Sequence, residues 1–316
     1  MLRKHSQLPD WQKDNPSIHT GYRSNYSSIQ SVVSIFQWHN ECGNIWTHLA
    51  GVILFAMIIY GPNSYLYELR HLEAQQVPQV PMPEACRTPN PNGFNPLITT
   101  WCLLGSLSEE ASHLIFLVSA KLCLLGSTVY HTFSAHQSSD VVRFFNRLDY
   151  LGISFLITGS TFPFVFYVFH CDFTFRASYL LLMSMIGCSI TVASFFRFWA
   201  TASFRKYRAL TYVIFGLLGA VPFLQLKLVN VWTTGSFADT PAERRFPIHY
   251  PLLMGLFYVV GAGLYAARCP EKYLPGKVDF VFQSHQLFHV FVVLGAYTHY
   301  AGCHYAFSNH RRFGVC

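Results

Sequence analysis

Seven apolar segments, each about as long as a bilayer is thick, constrain this chain more than any other feature of its sequence. A spanning helix needs about 20 residues, and the segments lie near 44–62, 110–132, 148–169, 178–198, 209–228, 248–267 and 285–305. Charged residues make up 12% of the chain, about half of what a soluble domain carries. The sequence therefore predicts an all-α integral membrane protein, a seven-transmembrane helix bundle.

The segments divide the chain into a tail (1–43), a membrane domain (44–305) and a short C-terminal tail (306–316). Pro222 interrupts the fifth segment, and the sixth begins near Pro251. The long connection 63–108 contains six prolines, which argues against regular structure there. Its apolar part, 96–107, is too short to span a membrane, and we expect it to lie on the surface.

The basic residues predict the orientation of the bundle. With the N-terminus inside, 13 of the 22 lysines and arginines fall on the cytosolic side and eight on the other. The positive-inside rule then predicts a cytosolic N-terminus and an external or lumenal C-terminus, opposite to a G-protein-coupled receptor. No apolar stretch in the first 40 residues indicates a cleavable signal peptide. No clustered basic stripe indicates nucleic-acid binding.

The nine cysteines include no C-x-x-C pair. In this orientation five of them face the non-cytosolic side: Cys86, Cys102, Cys171, Cys303 and Cys316. A disulfide among these five is possible, and the sequence leaves its pairing open.

Four groups of polar residues fall at one depth, at the predicted cytosolic ends of helices. They are Glu41 with Asn44 and His48, Ser127 with His131, Asp149 with Tyr150, and His285 with His289. Histidines four apart on a helix point the same way, and ionisable groups at membrane depth are usually functional. The coincidence of the four groups predicts one shared site.

Three histidines with an open fourth position are a catalytic arrangement for zinc. We predict His131, His285 and His289 as Zn²⁺ ligands. Asp149 would hydrogen-bond the reacting water or complete the coordination shell of the zinc ion, and Ser127 would donate a hydrogen bond to an oxyanion. These parts suit hydrolysis of an amide or ester bond in a lipid.

Structural alternatives stand beside each of these roles. His131 could be a packing histidine, and Ser127 could bond back to a helix carbonyl. Asp149 could pair with Arg147 or cap the third helix. The group around Glu41 fits a helix-packing network better than a second metal site. A zinc ion could also be purely structural.

The chain resembles the progestin and adipoQ receptor family over about 14–305. The resemblance runs in order through residues 21–23, 34–36, 41–48, 127–131, 148–153, 270–277 and 284–289, including the run Gly-Asn-Ile-Trp-Thr-His at 43–48. It implies seven helices, a cytosolic N-terminus and zinc held by the three histidines named above. It also implies that Asp149 lies beside that zinc and that Ser127 is the family's helix-two serine.

The resemblance implies a receptor or signalling regulator, with hydrolysis of a lipid amide such as ceramide as its activity. The opening Asp14-Asn15-Pro16 resembles a Golgi-resident branch of the family that tethers Raf kinase and damps growth-factor signalling. A cytosolic kinase at the N-terminal tail and steroid binding, as in the progestin receptors, are the alternatives. The Golgi and the plasma membrane are the locations that these readings imply.

Overall fold

The structure is a computed structural model and describes residues 2–61, 81–87, 95–201, 203–236 and 240–309. Its long helices are α1 (Cys42–Tyr60), α2 (Glu109–Phe133), α3 (Ser139–Val168), α4 (Phe173–Ser194), α5 (Arg205–Leu218), α6 (Val221–Thr234), α7 (His249–Ala267) and α8 (Ser284–Asn309). They follow the predicted segments in order, and α5 and α6 together occupy the fifth.

Five helices, α1 to α4 and α7, are long and apolar enough to cross a membrane. α5 and α6 meet the same test as one span bent by 41°. Pro222 lies in the first turn of α6, so the break has the expected cause. α8 has 26 residues, enough to span, but four histidines make it more polar. The all-α membrane fold is thus confirmed for the described part of the chain.

The third helix begins earlier than predicted. The segment 148–169 is apolar, but α3 starts at Ser139 because the polar residues before Asp149 continue the helix. At 30 residues, α3 is about 45 Å long, more than the hydrocarbon thickness. The expectation that Asp149 opens this helix is therefore wrong, since Asp149 lies almost three turns inside it.

Part of the connection after α1 is regular. Pro96–Gly105 forms a ten-residue helix, and Pro96 is tolerated because it occupies the first turn. Trp101 packs on Phe173 of α4 with the ring centroids 5.3 Å apart. A disulfide joins Cys86 to Cys102. Residues 62–80 and 88–94 of this connection, and 310–316 of the C-terminal tail, lie outside the described residues.

Helices α2 and α3 approach each other backbone to backbone. A Cβ on Gly152 would lie 2.7 Å from Cα of Cys123, and one on Gly126 would lie 3.1 Å from the carbonyl oxygen of Leu148. Glycine permits this approach because it has no side chain. The contact lies within about one turn of Ser127 and of Asp149, and so fixes the spacing of the polar residues on the two helices.

Residues 2–41, here called the N-terminal segment, fold against the end of the bundle that carries His131. The Arg23 side chain is 2% exposed and donates to the carbonyl oxygen of His131 at 2.7 Å. The Asp279 carboxylate accepts the backbone N–H groups of His19 and Thr20 at 3.0 and 2.8 Å. Burial lowers the pKa of Arg23 to about 10, so the guanidinium stays charged at neutral pH.

Candidate metal centre

Three histidines meet at this end of the bundle. His131 comes from the last turn of α2, and His285 and His289 come from the first turns of α8. One nitrogen from each ring can be chosen so that the three atoms lie within 4.8 Å of one another. His131 and His289 are buried and His285 is half-buried. The structure therefore brings together the three side chains that the sequence singled out.

A carboxylate orients His131. Its Nδ1 lies 2.7 Å from Oε2 of Glu41, just before α1, and the same oxygen accepts the Asn44 side-chain amide. Burial is the largest single influence and acts to raise the pKa of Glu41, but the hydrogen bonds from His131 and Asn44 and the nearby His131 and His285 rings together hold that pKa well below its ordinary value. With Nδ1 donating to Glu41, the lone pair is on Nε2. Nε2 of His131 is buried and has no hydrogen-bond partner in the described ranges.

The backbone of α1 orients His289. Nδ1 of His289 lies 3.1 Å from the carbonyl oxygen of Asn44 and 3.4 Å from Oγ1 of Thr47. The ring of His48 stacks on it, with centroids 3.7 Å apart and planes 9° from parallel. This arrangement leaves Nε2 of His289 as the atom free to bind an ion.

A second carboxylate anchors the start of α8. Glu271 accepts the backbone N–H of Ser284 at 2.8 Å and also its hydroxyl group. Beside this turn, the His285 ring lies 5.1 Å from the ring of Tyr265, and the guanidinium of Arg205 lies 4.1 Å above that same tyrosine. The direction of His285 is thus fixed by packing and by the anchored helix end.

Sequence reasoning treated the group around Glu41 as helix packing and missed its relation to the metal centre. Glu41 and the Asn44 carbonyl each hold the Nδ1 of one candidate ligand. Such partners fix ring orientation and raise ligand basicity in metal sites. The available signal was the spacing of Glu41, Asn44 and His48, which places them on one face at the same helix end as the histidines.

Asp149 and Ser127 lie beside the histidines. Asp149 is 8% exposed, and its carboxylate interacts electrostatically with His131 and Ser127. Ser127 is buried, and its hydroxyl lies near the Asp149 carboxylate. The neighbouring Thr128 bonds back to the carbonyl oxygen of Leu124 at 2.8 Å, whereas Ser127 does not.

Both structural alternatives for Asp149 are wrong in this fold. Ser138 occupies the N-cap position of α3, so Asp149 caps nothing. Arg147 donates to the carbonyl oxygen of Phe195 at 3.4 Å, and Asp149 forms no ion pair with any residue that the structure describes. Its carboxylate is therefore available on the histidine side of the α2–α3 contact.

The donor set fits a zinc ion. Three imidazoles in a buried site are ligands that zinc prefers, and three protein ligands leave a fourth position open. A packing histidine in place of a ligand would leave Nε2 of His131 buried and unpaired, which costs about 1–3 kcal/mol. A cation shared by the three rings removes that cost.

The histidines line a large cavity that extends from the N-terminal segment into the bundle. Its volume is about 1070 Å³, the upper end of the range for ligand sites. From the histidines it runs between α3, α7 and α8 to His299, and apolar side chains such as Ile153, Leu156 and Val292 form the walls between. The arrangement suits a long apolar molecule with its polar end beside the histidines and Asp149.

Similarity to known proteins agrees with this geometry. The model of the haemolysin-III related family matches residues 36–300. The chain belongs to this family. The match covers every helix that contributes to the metal centre, and the resemblance to progestin and adipoQ receptors noted in the sequence is confirmed by relatives that carry that name.

Individual family members support the assignment. The chain is 34% identical to progestin and adipoQ receptor-like protein 1 of Caenorhabditis elegans, over 95% of its own length and 59% of the relative's. It is 33% identical to the adiponectin receptor protein of Drosophila melanogaster, over 94% and 58%. The chain thus spans about three fifths of these two relatives. Heptahelical transmembrane protein 1 of Arabidopsis thaliana is 33% identical, over 95% and 79%. The chain is an adiponectin-receptor-like, multi-pass membrane protein.

Proposed function

We propose that this protein is a zinc-dependent hydrolase of lipid amides, with a ceramide-like substrate, coupled to receptor signalling. The observation that carries the proposal is the placement of three oriented histidines and Asp149 on the wall of a lipid-sized cavity. A zinc ion on these histidines would polarise the amide carbonyl and make water more acidic.

The side chains of this protein have distinct parts in the proposed reaction. Asp149 accepts a proton from the attacking water and returns it to the leaving amine, the usual role of a buried carboxylate beside a metal. Ser127 donates its O–H to the carbonyl oxygen as that atom becomes negative. Glu41 keeps Nε2 of His131 directed at the site. The apolar walls hold the lipid chain and exclude bulk water.

We also propose that the histidine end faces the cytosol. Thirteen of the 22 basic residues fall on that side when the N-terminus is inside. The disulfide Cys86–Cys102 lies in the connection at the opposite end, as expected for the side exposed to an oxidising compartment. The tail would then reach cytosolic proteins, and the Golgi and plasma membranes are the proposed locations.

Asp149→Asn tests the reaction, with metal content and ceramide hydrolysis measured on the same detergent-purified samples. We expect about one zinc per chain in both proteins and a loss of hydrolysis of at least about a hundredfold in the variant, because the proton acceptor is gone. Asp140→Asn is the matched control, since Asp140 is an exposed carboxylate at the start of the same helix. Hydrolysis that survives in Asp149→Asn, or a folded wild-type protein without zinc, would refute the proposal.

A non-catalytic scaffold that recruits a cytosolic kinase is the second candidate. It is favoured by an exposed apolar row on the N-terminal segment, formed by Ile29, Val32, Val33 and Phe36. Ile29→Ser with Phe36→Ser tests it, and kinase recruitment should fall while zinc content stays unchanged. Recruitment equal to the wild-type level would exclude this surface.

A further inference from the structure

The far end of the cavity contains polar atoms that the proposed reaction does not use. His299 is 1% exposed, and neither of its ring nitrogens has a hydrogen-bond partner in the described ranges. The carbonyl of Ser160 lies near the ring but does not meet hydrogen-bond geometry. The His299 ring packs edge-on against the ring of Phe116, with the ring centroids 4.6 Å apart and the ring planes at 82°. The ring is therefore held in place by apolar neighbours, while its polar atoms stay unpaired.

A second unpaired group lines the same cavity. The hydroxyl of Tyr258 is buried and also has no partner among the described residues, and both side chains line the cavity. The Tyr258 ring packs over Gly295, where an added Cβ would lie 2.8 Å from its Cε1 and Cζ atoms. Gly295 precedes His299 by one helical turn, so the two polar groups occupy neighbouring positions along α8.

Helix periodicity connects this pair to the metal centre. His285, Val292 and His299 are seven residues apart, so they share one face of α8, and all three line the cavity. His299 follows His289 by ten residues, which is about 15 Å along the helix axis. One extended molecule can therefore contact both ends of the cavity.

Leaving two polar groups buried without partners is costly in an apolar interior. An uncharged hydrogen-bonding group on the ligand removes the cost, since imidazole and phenol each both donate and accept. A charged group is disfavoured, because no oppositely charged side chain lines this end of the cavity among the described residues and ions at membrane depth are expensive.

We propose that His299 and Tyr258 form a second polar subsite, which binds a hydroxyl group on the lipid chain about 15 Å from the hydrolysed bond. The proposal rests on the function proposed above and narrows its substrate class to chain-hydroxylated lipids. The apolar side chains of Ile153, Leu156 and Val292 lie between the two ends, so the subsite selects by the position of the hydroxyl as well as by its presence.

Competition binding on the purified, zinc-loaded protein tests the subsite. The probes are saturated fatty acids, which carry the polar end of a hydrolysis product, and their counterparts of equal length with one hydroxyl moved stepwise along the chain. We expect about tenfold tighter binding when the hydroxyl lies near 15 Å from the carboxylate, and no gain at other positions. Equal affinity at every position would mean that the pair binds water, and would overturn the proposal.

Variants separate the subsite from the fold and from the reaction. Tyr258→Phe removes one oxygen and should lower the preference to about threefold, and His299→Leu should abolish it. Tyr297→Phe on the exposed side of α8 is the control and should keep the full preference. Zinc content and ceramide hydrolysis are measured on the same samples. A wild-type protein that hydrolyses ceramide without a positional preference refutes the subsite alone, and a preference without hydrolysis supports the subsite and refutes the reaction.

Discussion

The two ends of the bundle both bury polar side chains, but the hydrogen bonding of these side chains differs between the ends. At the end opposite the metal centre, Tyr167 donates to Glu109, and His113 contacts the carbonyl oxygens of Glu109 and Cys303 at 3.0 and 3.2 Å. At the histidine end, Nε2 of His131 has no hydrogen-bond partner in the described ranges.

This difference separates structural polar groups from functional ones. Glu109 and His131 are 22 residues apart on one helix, about 33 Å, so the same helix carries both kinds of cluster. A cluster whose polar groups are all hydrogen-bonded to one another stabilises the fold. A cluster whose polar groups are oriented but lack hydrogen-bond partners is available to bind a ligand instead. Both clusters contain a buried histidine, so residue type alone does not tell them apart.

Replacing one histidine in each cluster should give the largest contrast. His289→Ala removes a candidate metal ligand, and we expect zinc content to fall from about one per chain to none. His113→Ala removes a histidine of the opposite cluster and should leave zinc content unchanged. Metal analysis of the purified proteins, with size-exclusion profiles as the test of folding, measures both. Zinc loss in His113→Ala, or retention in His289→Ala, would break the distinction.

The carboxylate that orients His131 gives the next effect. Glu41→Ala should weaken zinc binding about 10–100-fold, because the ring loses the partner that fixes its tautomer and direction. Zinc affinity is measured by competition with a calibrated chelator. Glu41→Gln, which keeps an acceptor, should lose less, and equal losses in the two variants would show that the negative charge matters more than the hydrogen bond.

At the opposite end the expected effect is on stability. Tyr167→Phe deletes the hydroxyl that donates to Glu109 and should lower the free energy of unfolding by about 1 kcal/mol, since the carboxylate stays buried. Thermal unfolding in detergent measures the change, with zinc content expected to remain at the wild-type value. A fall in zinc affinity without a change in stability would contradict the structural role of this cluster.

The smallest effect is expected where the N-terminal segment meets the bundle through an exposed pair. Asp14 is 57% exposed and lies 3.2 Å from Arg268 and 3.5 Å from Arg205, so water screens its contacts with both. Asp14→Ala should lower the free energy of unfolding by about 0.5 kcal/mol or less. A loss of more than about 1 kcal/mol on thermal unfolding would show that the segment is held mainly by this contact and not by buried Arg23.

The sequence predicted the helices well because their signal is local. A run of apolar residues of spanning length identifies a membrane helix without reference to its neighbours, and the break at Pro222 has a local cause. The start of α3 was missed because residues 139–147 mix charged and polar side chains with apolar ones. The length of an apolar run predicts the part of a helix that lies in the membrane, and not the residue at which the helix begins. For the same reason Asp149 was assigned to the first turn.

The candidate site was predictable where its residues share a helix, as with His285 and His289. That His131 of α2 meets the histidines of α8 could be predicted only from the equal depth of these residues in the membrane. The roles of Glu41 and the Asn44 carbonyl were missed because they depend on contacts between helices. The pairing of Cys86 with Cys102 was left open because five cysteines lie on the same predicted side of the membrane. The sequence did not single out His299, because nothing in its own neighbourhood in sequence indicates a cavity.

Gly152 has a consequence for how the membrane itself acts on the site. Since α2 and α3 touch through their backbones there, a bilayer that becomes thinner or thicker tilts the two helices together. Ser127, His131 and Asp149 keep their mutual spacing during that tilt, whereas His285 and His289 belong to a different helix. Bilayer thickness would therefore change the candidate metal centre at the contact between α2 and α8, and lipid composition would set how well the three histidines share an ion.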